Sequence, residues 1–240
     1  MDAKQIIDAM RENYLRCTSY EDRGSITIGS RTLARDKILN GNFSSTFIRP
    51  NLLRFELTTE EAEVKRRFML QSDGDSVRAF DEYTPDVRPV NALAFDSFKG
   101  ALQTVGGLTD GVTNTVLSLL GEINPKWTLL NASTFQRSDD EIIEAVPCYK
   151  IDFVIDPFVA TEGTAWVSID SFTLWRLEER TVYTQEFTAF ALEQTKIFLE
   201  AEGISHNEEN HGISRTSIIS FAEVIFNNSI SIDKITDSNF

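Results

Sequence analysis

Apolar and polar residues alternate most strictly between Phe43 and Leu57. Phe43, Ser45 and Phe47 fall on one side and Ser44, Thr46 and Ile48 on the other. After a break, Leu53, Phe55 and Leu57 alternate with Arg54 and Glu56. A period of two marks strands with one apolar face. Pro50-Asn51 supplies the turn, because proline presets φ and asparagine tolerates turn geometry. A second pair of strands is expected from Arg66 to Asp81, broken by Ser72-Asp73-Gly74-Asp75.

Elsewhere the period changes. Ile6, Ile7, Met10, Tyr14 and Leu15 recur at helical spacing, with Asp2 as N-cap, and predict a helix over Ala3 to Arg16. A first strand is expected over Gly24 to Gly29. The charged stretch Ser30 to Asn42 reads as a short strand or a loop. Pro85 and Pro89 make Tyr83 to Asn91 irregular. Two helical segments follow, Leu93 to Val105 and Val112 to Leu120, separated by the glycine joint Gly106 to Gly111. Past Pro125, strands are expected over Trp127–Ala132, Glu141–Val146, Cys148–Ile155, Thr164–Ile169 and Phe172–Arg180. Glu186 to Glu202 reads as a helix ended by Gly203, and Ile213 to Phe226 as the closing strand.

The order of motifs is more specific than any one of them. Arg49-Pro-Asn-Leu52 precedes the strand Arg54-Phe-Glu56, and the next strand ends in Ser72-Asp-Gly74. Later, Trp166-Val-Ser-Ile-Asp170 leads to Leu174-Trp-Arg176, and the chain closes on Ser220-Phe-Ala-Glu-Val-Ile-Phe226. This order resembles the LolA/LolB-like lipoprotein carriers, most closely their outer-membrane lipoprotein-sorting-like branch, over nearly the whole chain. The resemblance implies one domain over residues 1–240, of mainly β (α+β) class. Its core would be a strongly curved antiparallel sheet, an open half-barrel, with helices over the concave face. Segment 186–210 is then a helical insertion. The contexts of Cys17 and Cys148 resemble segments that each carry a cysteine, which implies a disulfide between them. Read from the residues alone, two buried free thiols stay open.

Composition narrows the partners. The net charge of −14 repels nucleic acid and anionic membranes and keeps an envelope protein soluble. Seventeen phenylalanines suit a core or a greasy pocket, having no polar atom to satisfy. No apolar run approaches the roughly 18 residues that span a bilayer. Met1-Asp-Ala-Lys4 shows no apolar signal region. That beginning fits a cytoplasmic chain or a mature periplasmic or outer-membrane-associated one, and the resemblance favours the second. The sequons at Asn42, Asn131 and Asn227 are read as chance for a bacterial chain.

Catalytic signals are sparse. His206 and His211 are five apart in a polar stretch, wrong for two ligands on one helical face, and no metal site is expected. There is no Gly-x-Ser-x-Gly elbow, no phosphate loop and no nucleotide fingerprint, so no cofactor is expected. Asp139-Asp-Glu141 and Glu60-Glu61 read as solvated charge. The expected site is therefore apolar. Phe43, Phe47, Leu53, Phe55, Leu57, Phe68 and Leu70 share a sheet face by strand parity. Phe98, Leu102, Val116, Leu117 and Leu120 lie on the helices that cover it. By sequence alone this is a core; by resemblance it is a cavity for acyl chains. The expected protein is a monomeric, non-catalytic envelope protein that binds lipid or acylated molecules, lipoproteins among them. An envelope signalling protein on the same scaffold is the alternative, and a hydrolase a weaker one.

Overall fold

The computed structural model describes residues 1–31, 36–61, 64–84, 93–105, 109, 111–123, 128–155, 159–183 and 214–236. The chain begins with α1 (Ala3–Arg16) and a capping box: Asp2 accepts from Gln5 N–H, and the Gln5 side chain accepts from Asp2 N–H. Ile6, Ile7, Met10 and Tyr14 are buried as their spacing requires. Leu15 is 41% exposed and falls outside that stripe.

Strands then run in sequence: β1 (Ser19–Arg31), β2 (Asp36–Ile48), β3 (Leu52–Glu61), β4 (Val64–Asp73) and β5 (Val77–Thr84), ending in the short β6 (Leu93–Phe95). Helices α2 (Phe98–Val105) and α3 (Val112–Leu119) follow. The second half adds β7 (Thr134–Arg137), β8 (Glu141–Ile143), β9 (Val146–Ile155), β10 (Val159–Ser168), β11 (Leu174–Tyr183) and β12 (Ser214–Phe226), then α4 (Asp233–Thr236).

All twelve strands join one antiparallel sheet of order β6-β5-β4-β3-β2-β1-β12-β11-β10-β9-β7, with β8 paired to β9. The sheet is mostly meander, and β12 returns to pair with β1, which joins its two halves. It does not close on itself, as expected of the half-barrel.

Register sets the concave face. Phe43 stands opposite Leu57, which stands opposite Phe68; Ser45, Phe55, Leu70 and Ala79 form the next row, and Phe47, Leu53, Ser72 and Val77 the third. These residues are buried, together with Ile26 and Ile28 of β1, Ile151, Phe153 and Ile155 of β9, and Ile219 and Phe221 of β12. At about 1.5–3 kcal/mol for each fully buried Leu or Phe, this face dominates the favourable side of folding. Two rings come close over glycines on the paired strand. A Cβ on Gly24 would stand 2.7 Å from the Phe43 ring, and one on Gly163 would stand 2.4 Å from the Phe153 ring. On the opposite face, α4 lies against β3 and β4, and Gln71 donates to the Ile235 carbonyl.

Three expectations need correction. Leu93–Phe95 is a strand, and the helix begins only at Phe98. Trp127–Ala132 is not a strand: a 3-10 turn spans Leu129–Asn131, and Trp127 lies outside the described residues. Strands β1 and β2 extend well beyond the expected bounds, because a long ladder between them continues to Arg31 and Asp36. The helix expected over Glu186–Glu202 lies outside the described residues, as do His206, His211 and most of the Gly106–Gly111 joint.

Candidate functional site

The apolar residues expected at the site converge. Phe43, Phe47, Leu53, Phe55, Leu57, Phe68 and Leu70 from the sheet join Leu102, Val116, Leu117 and Leu120 in one buried cluster, and Phe98 packs partly buried against it. Ile6, Met10 and Tyr14 of α1 belong to the same cluster. The concave face thus has two covers, α1 and the α2–α3 pair. Gly111, at φ +87°, starts α3 in a conformation that favours glycine. Two open hollows, about 530 and 490 Å³, lie over β7 and over β9–β11, away from α2 and α3.

Arg49 ties the covers to the sheet. It sits at the end of β2, where its guanidinium reaches the C-termini of two helices. Nε donates to the Cys17 carbonyl at 2.8 Å, and one terminal nitrogen donates to Tyr14 O at 3.2 Å and Leu120 O at 2.7 Å. The other pairs with Glu122 at 2.7 Å. Helix ends leave carbonyls without intrahelical partners and carry partial negative charge, so a cation at this point satisfies both. Burial pushes the Glu122 carboxyl up, and Arg49 pulls it partly back. The guanidinium also lies 5.5 Å from the centre of the Phe47 ring. In the sequence Arg49 stands only as part of Arg49-Pro-Asn-Leu52, with nothing local to mark it as a clasp.

A buried polar cluster lies under α1. Tyr20 donates to Asp22 at 2.6 Å, and Tyr14 Oη accepts from Leu174 N–H at 3.2 Å. Burial pushes the Asp22 carboxyl up to about 7, and hydrogen bonding from Tyr20 and Ser45 opposes the rise. Burial likewise pushes Glu179 up to about 7, with Arg215 and Ser217 opposing it. Glu179 pairs in register with Gly163, which places it on the concave face toward the far end of β11.

The expected bridge between Cys17 and Cys148 is not formed; both are buried free thiols. Parity gives the reason. Ile151, Phe153 and Ile155 of β9 point into the concave core, so Cys148 points to the opposite face, where Glu141 pairs with it in register. Cys17 ends α1 on the concave side, with Sγ 3.1 Å from the Tyr14 carbonyl. Burial raises both thiols, Cys148 to about 11, which keeps them protonated and unreactive at neutral pH.

Among the described residues no group of three or more His, Cys, Asp and Glu is placed to hold a metal, and no helix is long and apolar enough to cross a membrane. No protein-family model matches the chain, and neither does any curated protein. Solved structures do. A DUF1329 family protein from Desulfovibrio piger matches at 8% identity and TM-score 0.34, over 98% of each chain. A domain from Vibrio parahaemolyticus, named for outer membrane lipoprotein sorting, matches at 5% identity and TM-score 0.35, over 98% of this chain and 96% of that one. MucB matches at 7% identity and TM-score 0.40, over 98% of this chain and 62% of its own.

Proposed function

We propose that the chain is a non-catalytic envelope protein that holds the acyl chains of a lipid or lipoprotein between the concave face and α2–α3. The observation that carries this reading is how α2 and α3 are fastened. They meet the rest of the molecule through apolar side chains, and among the described residues their polar ties to other elements all go to Arg49. A cover held at one end can lift at the other, and acyl chains can then replace its apolar side chains on the sheet. Each buried methylene would contribute about 0.8 kcal/mol. The periplasm is the compartment proposed, on the sequence resemblance.

The test is a fluorescent acyl series of increasing length titrated into delipidated protein. Affinity rising about fourfold per methylene until the space is full supports the carrier reading. A second reading has an observation in its favour: Phe47, Phe68, Leu102 and Leu120 are all 0% exposed, as in a filled core. Flat affinity across the series, or none, would favour that reading and leave a partner-binding role on the outer surface.

A further inference from the structure

One residue of β1 brings a charge-bearing group onto the concave face. Asp22 is 4% exposed, and its carboxyl is the end point of hydrogen bonds that start on other elements. Tyr20, two residues earlier on the same strand, donates to Oδ2 at 2.6 Å. Ser45, directly opposite on β2, bonds the carboxyl through both its side chain and its backbone. Tyr14, from α1, bonds the Tyr20 hydroxyl. The direction of this chain is fixed at its far end. Leu174 N–H on β11 donates to Tyr14 Oη at 3.2 Å, so the Tyr14 proton goes to Tyr20 and the Tyr20 proton to Asp22. Across the other ladder stands Val224 of β12. The groups that face Asp22 are thus Tyr20 on its own strand, Tyr14 from α1, Ser45 from β2 and Val224 from β12, and none of them is a cation.

We propose that α1 is a proton-coupled cover: it closes over the concave face with Asp22 protonated and lifts with release of that proton to solvent. The hydroxyl chain runs from the cover to the carboxyl, so lifting α1 draws Tyr14 away and opens Asp22 to water. Under the closed cover an ionised Asp22 has hydrogen bonds but neither water nor a countercharge, which is costly for a buried charge. A neutral carboxyl keeps the Tyr20 bond on one oxygen and gives its proton to the Ser45 hydroxyl, which accepts as well as donates. Once α1 lifts, the carboxyl is hydrated and ionises in the ordinary range. The burial that pushes Asp22 up to about 7 agrees with this balance. The closed cover is therefore fully favoured at low pH and loses that advantage as pH rises from about 4 to about 7. This stands apart from the acyl-binding reading, and it concerns the cover that the reading leaves shut.

The test is native-state amide exchange on the delipidated full chain between pH 5 and pH 8, with the intrinsic base-catalysed rate divided out. Protection of the Ile7, Met10 and Tyr14 amides should fall about tenfold per pH unit up to about pH 7 and level off above it. The amides of α2, Leu102 among them, should show no such fall. The β3–β4 ladder should stay better protected than α1 throughout. Asp22→Asn holds a neutral side chain of the same shape and should make α1 protection independent of pH. Tyr20→Phe removes a donor to the carboxylate and should carry the levelling-off to higher pH. Protection of α1 that is flat in wild type, or that falls equally in Asp22→Asn, would overturn the proposal. A levelling-off unmoved in Tyr20→Phe would do the same. So would α1 amides as protected as the β3–β4 ladder, because the helix would then open only with the whole molecule.

Discussion

The two covers of the concave face are built differently. Helix α1 has fourteen residues, a capping box, and polar ties along its length. Met1 O accepts from Arg137, Asn13 donates to the Ser171 carbonyl, and the Tyr14 hydroxyl accepts from Leu174 N–H. Helices α2 and α3 have eight residues each. Alone, helices this short are marginal in water, so apolar contact with the sheet is what makes them helices. Both covers bury apolar side chains fully, and burial does not distinguish them. The polar ties do, because they fix position where apolar contact fixes only proximity.

The largest expected effect tests whether that difference is energetic. Met10→Asp places a carboxylate under the pinned cover and should cost about 5 kcal/mol or more, enough to unfold a domain of ordinary stability. Leu102→Asp should cost about 2–3 kcal/mol, because its cover can lift and let the charge reach water. Urea denaturation of both variants gives the comparison, and equal losses would break it.

Next in size is pH. Asp22 lies beneath the pinned cover, and its folded pKa, about 7, stands above the ordinary 3.8. The folded state therefore keeps the proton longer than the unfolded one. The contribution is fully present below about pH 4 and is lost as pH rises through about 7, a difference of roughly 4 kcal/mol. Glu179 shifts in the same direction. Stability should fall from pH 5 to pH 8, and Asp22→Asn should flatten much of that slope in urea titrations.

Arg49 joins the two covers, so Arg49→Ala sharpens the comparison directly. It leaves Glu122 half-buried without its partner and frees carbonyls on both helices, at a cost of roughly 2–3 kcal/mol. Amide exchange should accelerate in α3 more than in α1, which keeps its other ties. The smallest effect belongs to the cap. Asp2→Ala should lower the stability of α1 by about 1 kcal/mol and leave acyl binding unchanged.

What the sequence showed depended on how local the cause was. Helix α1 and the β2–β3 hairpin were legible because cap, periodicity and turn all lie within a few residues of one another. Phe98, Leu102 and Leu117 could be placed with the sheet because their helical spacing is apolar on one side. The role of Arg49 could not be read, since its partners lie 32, 35, 71 and 73 residues away. Leu93–Phe95 reads as the start of a helix because three apolar-rich residues carry too little pattern to tell one period from another. The cysteine pairing failed on a point of parity that β9 itself displays. Ser45 did leave a signal. It is a polar residue at the parity of Phe43 and Phe47, and Asp22 became its partner only once β1 was seen to begin at Ser19.

The rings close over Gly24 and Gly163 bear on how so long a meander finds a single alignment. A slip by one residue turns every side chain to the wrong face, so the apolar pattern forbids it. A slip by two keeps the faces correct and escapes that control. It would, however, carry the Phe43 ring from Gly24 onto Asp22 or Ile26, which share the concave face with it. The Phe153 ring would likewise leave Gly163 for Thr161 or Ala165. In either case the ring meets a side chain where it needs bare backbone. Alternation thus rejects the odd misalignments and the two glycines reject the even ones, one lock in each half of the sheet.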